Sequence, residues 1–140
     1  MSNECSAATP LPFDKQTELV SDTILVIEDE EIVRTTVEKI LISLGYIAVL
    51  TNDGLEGVAQ FSQAPNRFSL VLLDLAMPRF DGVQTITEIR RINPDIPVVL
   101  MTGYSEHEAM ERFKGKGLTG FIQKPFDIPT LGQKLKNTLA

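Results

Sequence analysis

Short, fully apolar runs alternate along this chain with stretches of helical spacing. Ile24-Leu25-Val26-Ile27, Leu70-Val71-Leu72-Leu73 and Val98-Val99-Leu100-Met101 contain no polar residue. Runs of that length read as strands buried on both faces, as in a parallel sheet. Residues 46–50 and the pair Phe121-Ile122 read as two further strands. Between the runs, Val33, Val37, Ile40, Leu41 and Leu44 share one helical face, and Gly45 stands at the C-terminal cap position. Leu55, Val58, Ala59 and Phe61 mark a short helix after the Asn52-Asp53-Gly54 turn. A helix with Val83, Ile86 and Ile89 follows the Met77-Pro78 turn and Gly82. A polar helix is predicted over 106–114, and Ile128, Leu131, Leu135 and Leu139 line a last one. Strand and helix alternate throughout, which predicts an α/β fold with a parallel sheet covered on both faces. Residues 1–22 lack this periodicity and are expected to be a flexible tail or linker remnant, leaving the domain at 23–140.

The chain has 140 residues, enough for one domain with a substantial core. It is 43% hydrophobic and 23% charged, like an ordinary soluble globular protein. A net charge of −6 argues against nucleic acid as a partner. The single cysteine, Cys5, excludes an intramolecular disulfide, and no Cys/His cluster offers a zinc site. No apolar run approaches membrane-spanning length, and the first residues do not read as a signal peptide. A cytoplasmic protein with no membrane partner is the expectation.

In open α/β sheets, ligands bind beyond the carboxyl ends of the strands, near the topological switch point. The residues that end the apolar runs therefore carry the chemistry. The first run ends in Glu28-Asp29, the third in Asp74 and the fourth in Thr102, while Lys124-Pro125 follows the fifth. Each has a mundane reading by itself. An acidic pair can be a solvated loop, Asp74 or Thr102 a helix cap, and Lys124 an exposed cation. Their convergence on one sheet edge is what points to function.

The blocks at 24–31, 70–82, 98–104 and 120–126 resemble the motif blocks of response-regulator receiver domains, in order and over nearly the whole chain. Met101-Thr102-Gly103-Tyr104-Ser105 and Gly120-Phe121-Ile122-Gln123-Lys124-Pro125-Phe126 are similar to receivers of hybrid sensor histidine kinases. The resemblance implies a doubly wound, flavodoxin-like (βα)5 fold with strand order 2-1-3-4-5. It implies a two-component phosphorelay switch that takes a phosphoryl group from a phosphohistidine donor onto Asp74 with Mg²⁺. Asp29 matches a direct metal ligand, and Glu28 the second acidic position, which usually contacts the metal through water. Ala76 matches the residue whose backbone carbonyl binds the metal. Thr102 matches the switch hydroxyl, Lys124 the phosphate-pairing lysine, and Phe121 the switch aromatic. Pro125 matches a proline whose preceding bond is often cis. The implied donor is a sensor histidine kinase or a histidine phosphotransfer protein, and a homodimer formed on phosphorylation is left open.

These roles make chemical sense. Mg²⁺ takes few carboxylates together with phosphate oxygens, Asp can act as a phosphoryl acceptor, and attack between anions needs neutralising charge. Gly103 is expected to leave room for the phosphoryl group. Phosphoryl oxygens would draw Thr102 inward, and the Phe121 ring would fill the vacated space. Ala76 and Tyr104 occupy the positions that influence hydrolysis in this family. Neither suits positioning of a water, so slow self-dephosphorylation is expected. A signalling switch is favoured over two competitors. A haloacid-dehalogenase-like phosphohydrolase would need a second Asp where Ala76 stands, and a degenerate binding module would not keep Asp29, Asp74, Thr102 and Lys124 together. No output domain is legible, so both a stand-alone regulator and a receiver from a hybrid kinase fit.

Three further signals are set aside. Gly115 to Gly120 matches a GxGxxG pattern but follows a helix and precedes a strand, the reverse of a dinucleotide site. His107 reads as a surface residue. Glu30-Glu31 and Arg90-Arg91 read as solvated helix faces.

Overall fold

The computed structural model describes residues 22–75 and 81–139. The Met77-Pro78 turn, Ala76, the leader up to residue 21 and Ala140 lie outside the described residues. The strands are β1 (Thr23–Ile27), β2 (Ile47–Thr51), β3 (Leu70–Asp74), β4 (Val98–Thr102) and β5 (Gly120–Gln123). The helices are α1 (Glu31–Ser43), α2 (Gly54–Gln63), α3 (Gly82–Ile92), α4 (Glu106–Arg112) and α5 (Ile128–Leu139).

All strand pairings are parallel, in the order β2-β1-β3-β4-β5. The apolar runs at β1, β3 and β4 are buried along their full length, while edge strand β2 is only partly covered. Side chains alternate across the sheet and split the core in two. Ile24, Val26, Leu70, Leu72, Val99 and Met101 face α1 and α5, through Val37, Ile40, Leu41, Leu131 and Leu135. Leu25, Ile27, Val71, Leu73, Val98 and Leu100 face the opposite side, against Phe61, Ile86, Ile89, Ala109 and Phe113.

Local chemistry fixes the helix ends. Gly45, at φ +92°, ends α1 in the left-handed conformation. Asp81 with Gln84, and Ser105 with Glu108, form capping boxes at the starts of α3 and α4. The caps are thus Asp81 and Ser105, not Asp74 or Thr102, which leaves both strand-end residues to the sheet edge. Gly82 has a separate task. A Cβ there would lie 3.0 Å from both the Cα and the carbonyl oxygen of Leu75, so glycine lets α3 begin close against the end of β3 without pushing that backbone aside.

Several expectations need correction. Leu44, Leu55 and Ile128 were assigned to apolar faces but are 40%, 45% and 51% exposed, and Ala59 is exposed too. Leu44 follows the last residue of α1, Leu55 is the second residue of α2 and Ile128 the first of α5, so these three stand at helix ends, where less is packed against them. Helix α4 stops at Arg112 rather than 114. Arg90 is not part of a solvated face. It donates to the Gly117 carbonyl from Nε and Nη2 at 3.2 and 2.6 Å, and from Nη1 to the Ile96 carbonyl at 2.7 Å. Arg91 does lie at the surface, paired with Glu88. Glu30 is not in the helix: it precedes α1 as its N-cap residue.

Candidate functional site

The register of the sheet assembles the site. Ile27 pairs with Leu73, so the residues one step on, Glu28 and Asp74, emerge side by side. They do so between β1 and β3, where the order of strands changes direction, the place such sheets bind ligands. Thr102 ends the next strand, and the Lys124 N–H donates to the Thr102 carbonyl at 2.7 Å. That bond fixes Lys124 just past β5, and the Lys124–Pro125 peptide is cis.

Glu28, Asp29 and Asp74 present carboxylate oxygens within 4.8 Å of one another. Glu28 is fully buried and Asp74 is 5% exposed. The Lys124 ammonium donates to Glu28 Oε1 at 2.8 Å and to Asp74 Oδ1 at 3.2 Å. The Glu30 N–H donates to Glu28 Oε2 at 3.2 Å. Asp29, Glu30, Asp74, Thr102, Gly103, Tyr104 and Lys124 line an open cleft of about 530 Å³. A Cβ at Gly103 would meet nothing within 4 Å, so the cleft is open on that side. The Thr102 hydroxyl oxygen accepts from the Tyr104 N–H at 3.1 Å.

The electrostatics are those of crowded acids. Burial, and then the nearby Glu28 carboxylate, push the Asp74 carboxyl up to about 7, against the opposing pull of Lys124. Burial works to lower the pKa of Lys124. Its hydrogen bond to Glu28 and the fields of Asp74 and Glu28 outweigh that effect and leave it raised. Three carboxylates meet at the bottom of the cleft, and the one ammonium there bonds two of them, Glu28 and Asp74. Such an arrangement suits a hard divalent cation and an anionic group beside it.

Every predicted site residue among the described ones reaches this edge except Phe121, which is half-buried and packs on the β4 side of the core. Ala76 lies outside the described residues. Sequence reasoning missed Arg34, whose Nη1 donates to the Glu28 carbonyl at 3.0 Å and holds the loop after β1. A cation on the first turn of α1, six residues past Glu28, was the available signal. Glu30 is exposed, as a solvated charge should be, and it also forms part of the cleft wall.

Known proteins resemble this chain in sequence and fold. The chain is 35% identical over 117 residues to the transcriptional regulatory protein ZraR of Escherichia coli K12, covering 84% of this chain and 26% of that one. It is 31% identical over 134 residues to the sensor kinase CckA of Brucella abortus, covering 95% of this chain and 14% of the kinase. The chain therefore spans about a quarter or less of these relatives. Among solved structures it resembles the chemotaxis protein CheY4 of Vibrio cholerae, with TM-score 0.80 and 27% identity over 86% of this chain and all (100%) of that one. It resembles equally the receiver domain of the sensor histidine kinase PA1611 of Pseudomonas aeruginosa, with TM-score 0.78 and 27% identity over 86% and 98% of the two chains. That structure holds a magnesium ion coordinated in its active site cleft. The family model of the response regulator receiver domain matches residues 24–136. By this match, and by the acidic cleft at the switch point of its sheet, the chain belongs to the response regulator receiver domain family.

Proposed function

We propose that Asp74 is the phosphoryl acceptor of a two-component phosphorelay and that Glu28, Asp29 and Asp74 hold Mg²⁺ beside it. The observation that carries this reading is the meeting of three carboxylates and one ammonium at the end of β3. The donor set fits the ion: all the ligands are hard oxygens, and the negative charge exceeds what Lys124 balances. When bound, Mg²⁺ supplies positive charge that offsets repulsion between the carboxylate and the incoming phosphoryl oxygens. Ala76 would add its carbonyl to the ligands.

The chain's own residues do the rest. Asp74, ionised, attacks phosphorus with a carboxylate oxygen as the bond to the donor histidine nitrogen breaks. Lys124 turns part of its charge from Asp74 to the phosphoryl group. Thr102 donates its hydroxyl hydrogen to a phosphoryl oxygen, and Phe121 follows into the space that Thr102 leaves. The domain is thus a switch whose chemistry is directed at itself, with slow loss of the phosphoryl group.

A phosphohistidine-bearing kinase or phosphotransfer protein has a surface to meet. An apolar groove of about 400 Å³ between α1 and the loop after β5 is lined by Ile32, Val33, Thr36, Val37, Pro125 and Phe126, and it reaches Lys124. Ile32, 82% exposed, stands at its rim. Among the described residues no helix is long and apolar enough to cross a membrane, and a cytoplasmic setting fits a domain served by such a donor.

The test is incubation with Mg²⁺ and acetyl phosphate or phosphoramidate, followed by intact mass measurement. A one-phosphate gain is expected in the wild type, and none in Asp74→Asn or without Mg²⁺. No gain, together with no binding of beryllofluoride and Mg²⁺, would turn the reading to a binding module.

A further inference from the structure

Tyr104 belongs to two structures at once. Its backbone N–H donates to the Thr102 hydroxyl oxygen at 3.1 Å, and it lines the cleft with Asp74, Thr102 and Lys124. Its ring lies under the Arg112 guanidinium, 5.2 Å from the ring centroid. Arg112 is the last residue of α4, and that helix begins at the Ser105 cap, the residue directly after Tyr104. The ring therefore folds back along α4, and the guanidinium closes the loop between β4 and the helix onto the helix itself.

We propose that Arg112 is a positioning residue that acts through Tyr104 on Thr102, so that α4 sets how readily the cleft takes a phosphoryl group. The proposal rests on the reading of the cleft as a phosphoryl site. A hydroxyl has one hydrogen to donate, and its oxygen accepts in fixed directions. If Thr102 turns its hydroxyl into the cleft, the Tyr104 N–H must move with it or lose its acceptor. Exchanging that fixed acceptor for water in the open cleft forfeits the modest net gain of one hydrogen bond. With the ring held under Arg112, the Tyr104 backbone is not free to follow. The stack thus favours the arrangement seen here and opposes the engaged one. Cation–π contacts of this kind are strong enough to bias a two-state equilibrium without locking it. Coupling of this sort is reciprocal: a protein that covers the Arg112 end of α4 and takes the guanidinium for itself would raise the affinity of the cleft for its phosphoryl group.

Arg112 and Tyr104 are both at the surface, so their substitution leaves the core intact. The experiment compares the wild type, Arg112→Ala and Arg112→Lys in two measurements, with thermal unfolding as the control for folding. In the metal-free protein, amide hydrogen exchange at Tyr104 reads the bond to Thr102. Exchange is expected to be faster in Arg112→Ala and restored by Arg112→Lys, which keeps a cation over the ring. Titration with beryllofluoride and Mg²⁺ reads the cleft. Arg112→Ala is expected to bind about two- to fivefold more tightly than the wild type, the range set by a surface cation–π contact, with Arg112→Lys between them. Equal affinities and equal Tyr104 exchange in the three proteins would overturn the proposal. Failure of the wild type itself to bind would instead overturn the phosphoryl reading, and the exchange measurement would still decide whether Arg112 holds Tyr104 to Thr102.

Discussion

The Lys124 ammonium is bonded more closely to Glu28, at 2.8 Å, than to Asp74, at 3.2 Å. The Glu28 side chain is wholly enclosed, so Lys124 is the cation that makes its burial tolerable. The lysine has a structural task in the resting domain in addition to any role toward phosphate. Removing one partner of a buried pair leaves an uncompensated charge, which costs far more than the pair contributes.

Lys124→Met is therefore expected to destabilise the domain by about 3 kcal/mol in metal-free buffer. Glu28→Gln in the same chain should recover a large part of that loss, because the enclosed carboxylate is then gone. Urea unfolding of the two single variants and the double variant measures the coupling. Additive losses would show that the pair does not set the stability.

Asp74 gives a pH dependence of definite sign. Its carboxyl is raised from the ordinary 3.8 to about 7, by burial first and by Glu28 second. The folded chain thus holds this proton more tightly than the unfolded chain does. Whatever stability the protonated group contributes is complete below its ordinary value and is lost as pH rises toward and through 7. In metal-free buffer, Asp74→Asn should be more stable than the wild type at pH 8, by about 1–2 kcal/mol once solvent screening is allowed for. The difference should shrink toward pH 4. Mg²⁺ should reverse the order at pH 8 by stabilising only the wild type. Thermal melts over pH with chelator or Mg²⁺ check all three statements.

Arg90 ties helix α3 to the loop before β5. Its guanidinium serves the carbonyls of Gly117 and Ile96, and a third carbonyl, that of Asn93, at 3.3 Å. Burial lowers its pKa, with Asp95 acting in the other direction. A planar fork with several donors does this and a single ammonium does not. Arg90→Lys is expected to lose about 1–2 kcal/mol, and Arg90→Ala somewhat more, from carbonyls left without donors. Denaturant unfolding reads the loss, and the amides at 118–120 should show faster exchange in both variants.

Much of this domain was legible in its sequence, for a local reason. A strand buried on both faces must be apolar at every position, so the runs at β1, β3 and β4 announced themselves and their ends marked the sheet edge. Edge strand β2, half-covered, was placed one residue early, because partial burial leaves a weaker pattern. Glu28, Asp29, Asp74 and Thr102 could be singled out because they follow such runs, and Lys124 because it stands just past the shorter apolar pair Phe121-Ile122.

What the sequence by itself determined is which segments are strands and helices, and which residues stand at the strand ends. The tertiary structure alone decided who bonds to whom. Lys124 reaches Glu28 across 96 positions of chain, and Arg90 reaches Gly117 across 27. The exposure of Leu44, Leu55 and Ile128 was decided in the same way. Periodicity records that a helix has an apolar face, but how far along the helix that face is covered depends on the neighbouring layer. Hydrogen bonds over long chain separations depend on where strand pairing and helix packing place the partners, and no local pattern carries that information.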